Sequence, residues 1–361
     1  MSSSNLCKMA IPTDILVIRL SSLGDVLLTM PAVQAIKRAN PRASLAWLVE
    51  GSVAGLLRHQ PFVDRVIEFP RGRVEGALKR GRPISAGRAL RTFLRDLRQR
   101  RFDLVMDFHG IMKSALLSRA ARAAWRIGYD RTFAKELSWL AYDEKAGGSD
   151  KRLHKVRRNL LLASSLGIGE APDLSIETSP ESDEYVDRFL ASAGITGPLF
   201  AVNPFCSKGS SFKRWDLARY GAVMRRIGEE TGARMMVLWG PGEEEEAHQL
   251  TRMGGDRAIL ACPTTVTQLL SLLKRTDLYI GGDTGVMHLA AFAGVPVVAI
   301  FGPTDHLVNG PFGDGHTIIR KELPCSPCRD KGCKSLECLR EISVDDVCKA
   351  VISARAAGRG G

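Results

Sequence analysis

The chain has 361 residues, 45% of them hydrophobic, and a formal net charge of +12. This is enough to build two packed domains, while no apolar run is long enough for a membrane-spanning helix. The short polar stretch over residues 1–10 has no leader character, which points to a cytoplasmic protein. The charge is uneven: residues 65–101 hold twelve Lys/Arg against Glu68, Glu75 and Asp96. Such a patch suits an anionic membrane surface, a phosphorylated substrate or nucleic acid. The 6% aromatic content argues against a stacking platform for single-stranded nucleic acid.

In chain order, Ile15-Leu16-Val17-Ile18 is predicted to be a strand running into Arg19-Leu20-Ser21-Ser22-Leu23-Gly24-Asp25 and a short apolar segment. Pro31 suits the first turn of a helix over 32–38, because its fixed φ is already helical. Strands are predicted over 44–49 and 63–67, and then the basic region begins in a loop. A helix over 88–101 puts Leu90, Phe93, Leu94 and Leu97 inward and its arginines outward. Residues 103–107 form another buried strand, followed by a helix over 113–123. Alternating strand and helix gives an α/β domain with a parallel sheet. The pattern weakens over 167–182, and a domain boundary is placed there. Helix and strand then alternate again: helix 183–193, strand 199–203, helix 217–231, strand 234–239, and helices 243–253 and 267–274. Residues 343–356 form a terminal helix, with Ser343 as N-cap and Asp346 near the third position. The expected domains are 11–178 and 179–342, with a tail over 343–361 and a ligand cleft between the two sheets.

The second half turns on residues 276–304. Leu278-Tyr279-Ile280 reads as a strand and residues 286–293 as a helix, and 295–300 is a second strand. The first-turn amides of that helix lack intrahelical partners and form an anion site. Gly281, Gly282 and Gly285 would let a bulky ligand approach the backbone. The simpler alternative is that Asp283 or Thr284 only caps the helix and His288 belongs to the core or surface. Cys325, Cys328, Cys333 and Cys338 follow at C-x2-C-x4-C-x4-C spacing, a set that could hold a structural zinc ion or remain free thiols.

Four segments resemble the bacterial heptosyltransferases of glycosyltransferase family 9. They are Arg19 to Asp25, Asp107-Phe108-His109-Gly110-Ile111-Met112-Lys113-Ser114, Phe212-Lys213-Arg214-Trp215 with Asn203-Pro204 upstream, and Gly282-Asp283-Thr284-Gly285-Val286-Met287-His288. The resemblance implies a GT-B arrangement, two Rossmann-like domains with parallel sheets facing a central cleft. It implies inverting transfer of heptose from ADP-heptose to the Kdo/heptose inner core of lipopolysaccharide, with no metal or other cofactor for catalysis. Asp25 would be the general base and Lys213 the cation at the leaving diphosphate. Ser207, Trp239, Gly240, Glu243, Asp283, Thr284, Gly285 and His288 would bind the donor. Phe205-Cys206-Ser207 stands where the family more often has Gly-Ala-Ser. Arg71, Arg73, Lys113 and Arg158 would meet the phosphorylated lipid A/Kdo acceptor, placing the enzyme peripherally on the inner face of the inner membrane, with no nucleic-acid partner. A family member with another nucleotide sugar and a non-catalytic nucleotide- or polyanion-binding protein are the alternatives. A dinucleotide oxidoreductase is disfavoured, since Gly24 lacks G-x-G-x-x-G spacing.

Overall fold

The computed structural model describes residues 12–169, 172–207, 209–328 and 330–358. Residues 1–10, on which the expectation of no leader rests, lie outside these. The chain divides into two compact units, Met1–Asp173 and Leu174–Gly361, so the division falls inside the weak 167–182 stretch.

The first unit contains β1 (Asp14–Ile18), β2 (Ser44–Glu50), β3 (Arg65–Phe69), β4 (Arg101–Asp107), β5 (Arg122–Tyr129) and β6 (Glu144–Ala146). They form one sheet in the order β3-β2-β1-β4-β5-β6. Every pairing is parallel, with Ile15 opposite both Leu45 and Leu104. The second unit contains β7 (Leu199–Asn203), β8 (Arg234–Val237), β9 (Ala258–Leu260), β10 (Leu278–Gly282), β11 (Val297–Ile300) and β12 (Thr317–Ile319). Its order, β12-β11-β10-β7-β8-β9, is the same winding about its own first strand. Central strands are apolar without alternation because helices cover both faces: all five residues of β7 are buried, as are all but the first of β1.

Each sheet is a doubly wound Rossmann-like sheet of strand order 3-2-1-4-5-6. In such sheets the winding reverses between the first and fourth strands, and ligands bind beyond the carboxyl ends there. The switch points are therefore β1/β4 in the first unit and β7/β10 in the second.

Several elements differ from the sequence expectation. The basic stretch after β3 is not a loop: Arg71–Lys79 and Pro83–Arg98 are two helices, so the second starts five residues before the expected 88. Pro83 accounts for that start, standing in the first turn where its missing N–H costs nothing. The helix expected over 113–123 is Met112–Ala120, and Arg122 already begins β5. The apolar segment after Asp25 is part of a short helix, Leu23–Leu27. The terminal helix is Val344–Gly358, and its capping box forms: Asp346 N–H donates to Ser343 Oγ at 3.1 Å and Ser343 N–H to Asp346 Oδ2 at 2.9 Å.

Candidate active site

In the first unit the β1/β4 switch point gathers charged groups around Asp25. Arg19 leaves the end of β1, and its guanidinium donates to the Phe108 carbonyl beyond β4. The same guanidinium lies 3.0 Å from Asp25 Oδ1. Asp25 sits in the first turn of the Leu23–Leu27 helix without capping it. Lys155, the first residue of the Lys155–Ser164 helix, donates to Asp25 Oδ1 at 2.8 Å. That helix is fixed to the Asp25 segment, since Asn159 Nδ2 donates to the Leu28 carbonyl at 2.6 Å and Thr29 Oγ1 to the Asp25 carbonyl at 2.8 Å. Burial raises the Asp25 carboxyl pKa, but Arg19 and Lys155 outweigh it and hold the group well below the usual carboxylate range. Asp25 is therefore ionised and able to accept a proton, although its two cations lower its basicity.

His109 and Asp107 build the other side of this switch point. His109 Nδ1 accepts from Leu20 N–H at 3.3 Å, and burial, aided by the Arg19 charge, lowers its pKa to about 3, so the ring is neutral. Asp107 is fully buried, and burial pushes its pKa up. It accepts from Tyr142 Oη at 2.7 Å and from the N–H groups of His109 and Gly110 at 2.8 and 3.2 Å, folding the turn after β4. Gly110 has a φ of +65°, and a Cβ there would lie 2.9 Å from the Tyr129 ring, so the turn requires glycine.

The four basic residues expected at the acceptor are not gathered together. Arg71 and Lys113 converge on Glu50, the buried last residue of β2, at 2.9 and 3.1 Å. Arg71 also pairs with Glu75 at 2.7 Å, and Lys113 stands 4.3 Å above the Phe69 ring. Arg73 lies apart, in a cleft of about 680 Å³ that Arg65, Arg88 and Arg100 also line. Arg158 donates to the carbonyls of Leu153 and Lys151 at 2.7 and 2.6 Å and stacks over Phe133 at 4.8 Å. Its guanidinium braces the turn that delivers Lys155.

In the second unit the β7/β10 switch point holds Lys213 and Asp283, paired at 2.7 Å. Lys213 comes from the loop after β7 and Asp283 directly follows β10. Thr284 is the N-cap of the Gly285–Phe292 helix: its hydroxyl accepts from Met287 N–H at 3.3 Å and receives Asn203 Nδ2 at 3.4 Å. That leaves the Gly285 and Val286 amides of the first turn without an intrahelical partner. His288 is 5% exposed and so offers a ligand little surface. Gly281 is needed for packing: a Cβ there would lie 2.4 Å from Tyr279 Oη and 2.8 Å from the Asn203 carbonyl. Trp239 Nε1–H donates to the Ala261 carbonyl at 2.8 Å, fixing the loop after β8. Glu243 accepts from Gly240 N–H at 2.8 Å, and burial raises its pKa. Ser207 is exposed and donates to Ser210 Oγ at 3.1 Å.

Arg19, Lys155 and His109 were given no role from sequence. Arg19 and His109 stood inside the motifs that flagged the site; Lys155 carried no signal, being 130 residues from its partner. Among the described residues no group of three or more His, Cys, Asp or Glu side chains is arranged to hold a metal. Cys325, Cys328, Cys333 and Cys338 form no disulfide, with Cys338 buried against the core and the first two exposed.

The family model for glycosyltransferase family 9 (heptosyltransferase) matches residues 90–339. The chain belongs to glycosyltransferase family 9. It is 29% identical over 328 residues to lipopolysaccharide heptosyltransferase 1 of Pseudomonas aeruginosa, covering 88% of this chain and 87% of the relative. It is 30% identical over 325 residues to the Salmonella typhimurium protein of the same name, covering 87% and 94%. Among solved structures, the family 9 glycosyltransferase from Veillonella parvula superposes with a TM-score of 0.80 at 21% identity, covering 97% of this chain and 99% of that one. Escherichia coli heptosyltransferase WaaC with ADP gives 0.75 at 24% identity, covering 94% and 99%. The fold class is α/β of the GT-B kind, and the protein is a glycosyltransferase.

Proposed function

We propose that this family 9 enzyme transfers heptose from ADP-heptose to the Kdo/heptose inner core of lipopolysaccharide, with inversion and without a metal. The observation that carries this reading is the placing of Asp25 and Lys213, each at the switch point of its own sheet. The relatives named as lipopolysaccharide heptosyltransferases support the acceptor class. The donor is supported by a solved heptosyltransferase bound to ADP-2-deoxy-2-fluoro heptose, 25% identical with a TM-score of 0.71.

In the proposed reaction the acceptor hydroxyl gives its proton to Asp25 as its oxygen attacks the anomeric carbon. The bond from that carbon to the ADP oxygen breaks, and ADP leaves with the electron pair. Lys213 exchanges Asp283 for the diphosphate and neutralises the growing charge. The Thr284 hydroxyl and the Gly285 and Val286 amides hold the diphosphate, with Glu243 and the Trp239-Gly240 loop beside the nucleoside. Arg71, Arg73, Lys113 and Arg158 serve the acceptor side, Arg158 through the turn carrying Lys155. No helix among the described residues is long and apolar enough to cross a membrane. A glycolipid acceptor then implies peripheral contact with the inner leaflet from the cytoplasmic side.

The test is a panel of nucleotide sugars incubated with purified Kdo-bearing lipid A, read by product mass. ADP-heptose should give addition of one heptosyl unit with release of ADP. Transfer from another nucleotide sugar, with none from ADP-heptose, would refute the donor assignment.

A further inference from the structure

The Arg71–Lys79 helix buries only Ala77, yet it is held against the Pro83–Arg98 helix as an ordered hairpin. The tip of that hairpin presents two large apolar side chains: Leu78 is 54% exposed and Ile84 79%. Lys79, Arg80 and Arg82 stand between them, all exposed. From residue 76 to residue 95 the chain carries six Lys/Arg and no Asp or Glu.

We propose that this tip docks the first unit on an anionic lipid bilayer, with Leu78 and Ile84 entering the headgroup boundary and Lys79, Arg80 and Arg82 meeting lipid phosphates. Two large apolar side chains held in water at a turn gain by partitioning into an interface, and cations beside them select a negative one. A second exposed apolar group, Met112, Leu116, Leu137 and Leu140, is less suited to a negative surface because exposed Glu136 lies within it, bonded to the Met112 amide at 3.1 Å. A nucleic-acid partner is disfavoured, since Phe93, the one aromatic residue between 76 and 95, is buried. The inference rests on the reading that the acceptor is a glycolipid in such a leaflet, and it names the element that reaches the leaflet.

The test is co-sedimentation of the full chain with vesicles of phosphatidylethanolamine and phosphatidylglycerol, against vesicles of phosphatidylcholine. The wild-type protein should bind the first and not the second, and binding should fall with salt. Replacing Lys79, Arg80 and Arg82 with alanine should weaken binding by about 100-fold. Leu78→Ser/Ile84→Ser should weaken it by about 10-fold or more. Thermal melting checks that each variant is folded, and transfer to a deacylated, water-soluble acceptor should be unchanged in both. Absence of wild-type binding would overturn the proposal, as would wild-type affinity in the variants. It would also be overturned if Leu137→Asp/Leu140→Asp abolished binding while the tip variants retained it, or if RNA displaced the vesicles. Vesicle binding needs no turnover, so failure of heptose transfer would refute the proposed function while leaving this measurement readable.

Discussion

Replacing Asp25 with asparagine tests the assignment of the base with the smallest change of shape. Asn keeps an oxygen for Lys155 and for Arg19, which lie 2.8 and 3.0 Å away, but loses the charge that both neutralise. At about 3 Å, a pair of unit charges is worth roughly 1.4 kcal/mol in water and roughly 5.5 kcal/mol at an effective dielectric constant of 20. The Asp25 side chain is 23% exposed, so the contribution lies between these limits. Side-chain ordering and remaining hydrogen bonds offset part of it, leaving an expected stability loss of about 1–3 kcal/mol. For a unit of 173 residues that lowers Tm by about 2–4 °C per kcal/mol, a shift that thermal melting of the variant measures. Turnover should fall by about 10²–10⁴-fold, or roughly 3–5 kcal/mol of barrier. Donor affinity should hold, because the base acts on the acceptor proton in the transition state. Calorimetric titration with ADP together with initial rates against acceptor separates the two effects. A folded Asp25→Asn enzyme with near wild-type kcat would refute the reasoning.

Lys213→Ala should weaken ADP binding and slow transfer, and should destabilise the second unit by about 1–3 kcal/mol by leaving the 8%-exposed Asp283 carboxylate without its cation; unchanged ADP affinity and rate would remove Lys213 from the site. Transfer should survive EDTA, since Lys213 and the first-turn amides of the Gly285–Phe292 helix supply positive charge; loss restored by Mg²⁺ or Mn²⁺ would contradict this. Arg71→Ala/Arg73→Ala should raise acceptor KM and spare donor affinity, with rising salt reproducing the effect. Because Arg71 also neutralises Glu50, Arg73→Ala alone separates recognition from folding. For stability, the His109 pKa is lowered from 6.5 to about 3, so its neutral form is favoured by folding. That contribution is full above pH 6.5 and is lost as pH falls toward 3, with a slope of up to about 1.4 kcal/mol per pH unit; His109→Gln should flatten that part of a pH-resolved denaturation series.

The parallel sheets were legible because their central strands are short, uninterrupted apolar runs: Ile15 to Ile18, Leu104 to Met106 and Leu278 to Ile280 are buried on both faces and so lack any alternation that could be mistaken for surface. The strands β5, β6, β9 and β12 were not. Arg122–Tyr129 carries Arg122 and Arg126, and Thr317–Ile319 is three residues long, so neither has a period to read. The first basic helix after β3, Arg71–Lys79, was hidden for a related reason. A helix that buries one alanine has no apolar stripe, and Gly72, Gly76 and Pro83 read locally as loop.

The site was legible in its turns and not in its electrostatics. A switch point needs a tight turn after the first strand and another after the fourth, and the local motifs around Gly24-Asp25, His109-Gly110 and Asp283-Thr284-Gly285 record that need within a few residues. The state of each turn's charged residue is set by partners elsewhere in the chain. The sequence marks Asp25 as the candidate base but does not show Lys155, 130 positions on, which stands 2.8 Å from it. It marks Lys213 as the candidate cation but does not show Asp283, 70 positions on, which holds it at 2.7 Å. Lys213 and Asp283 come from separate connections of one sheet and Lys155 follows the last strand of the other, so these pairs form only once each sheet has assembled. Substitutions that loosen a sheet without touching a charged residue should therefore reach activity through these pairs, ahead of any measurable loss of helix.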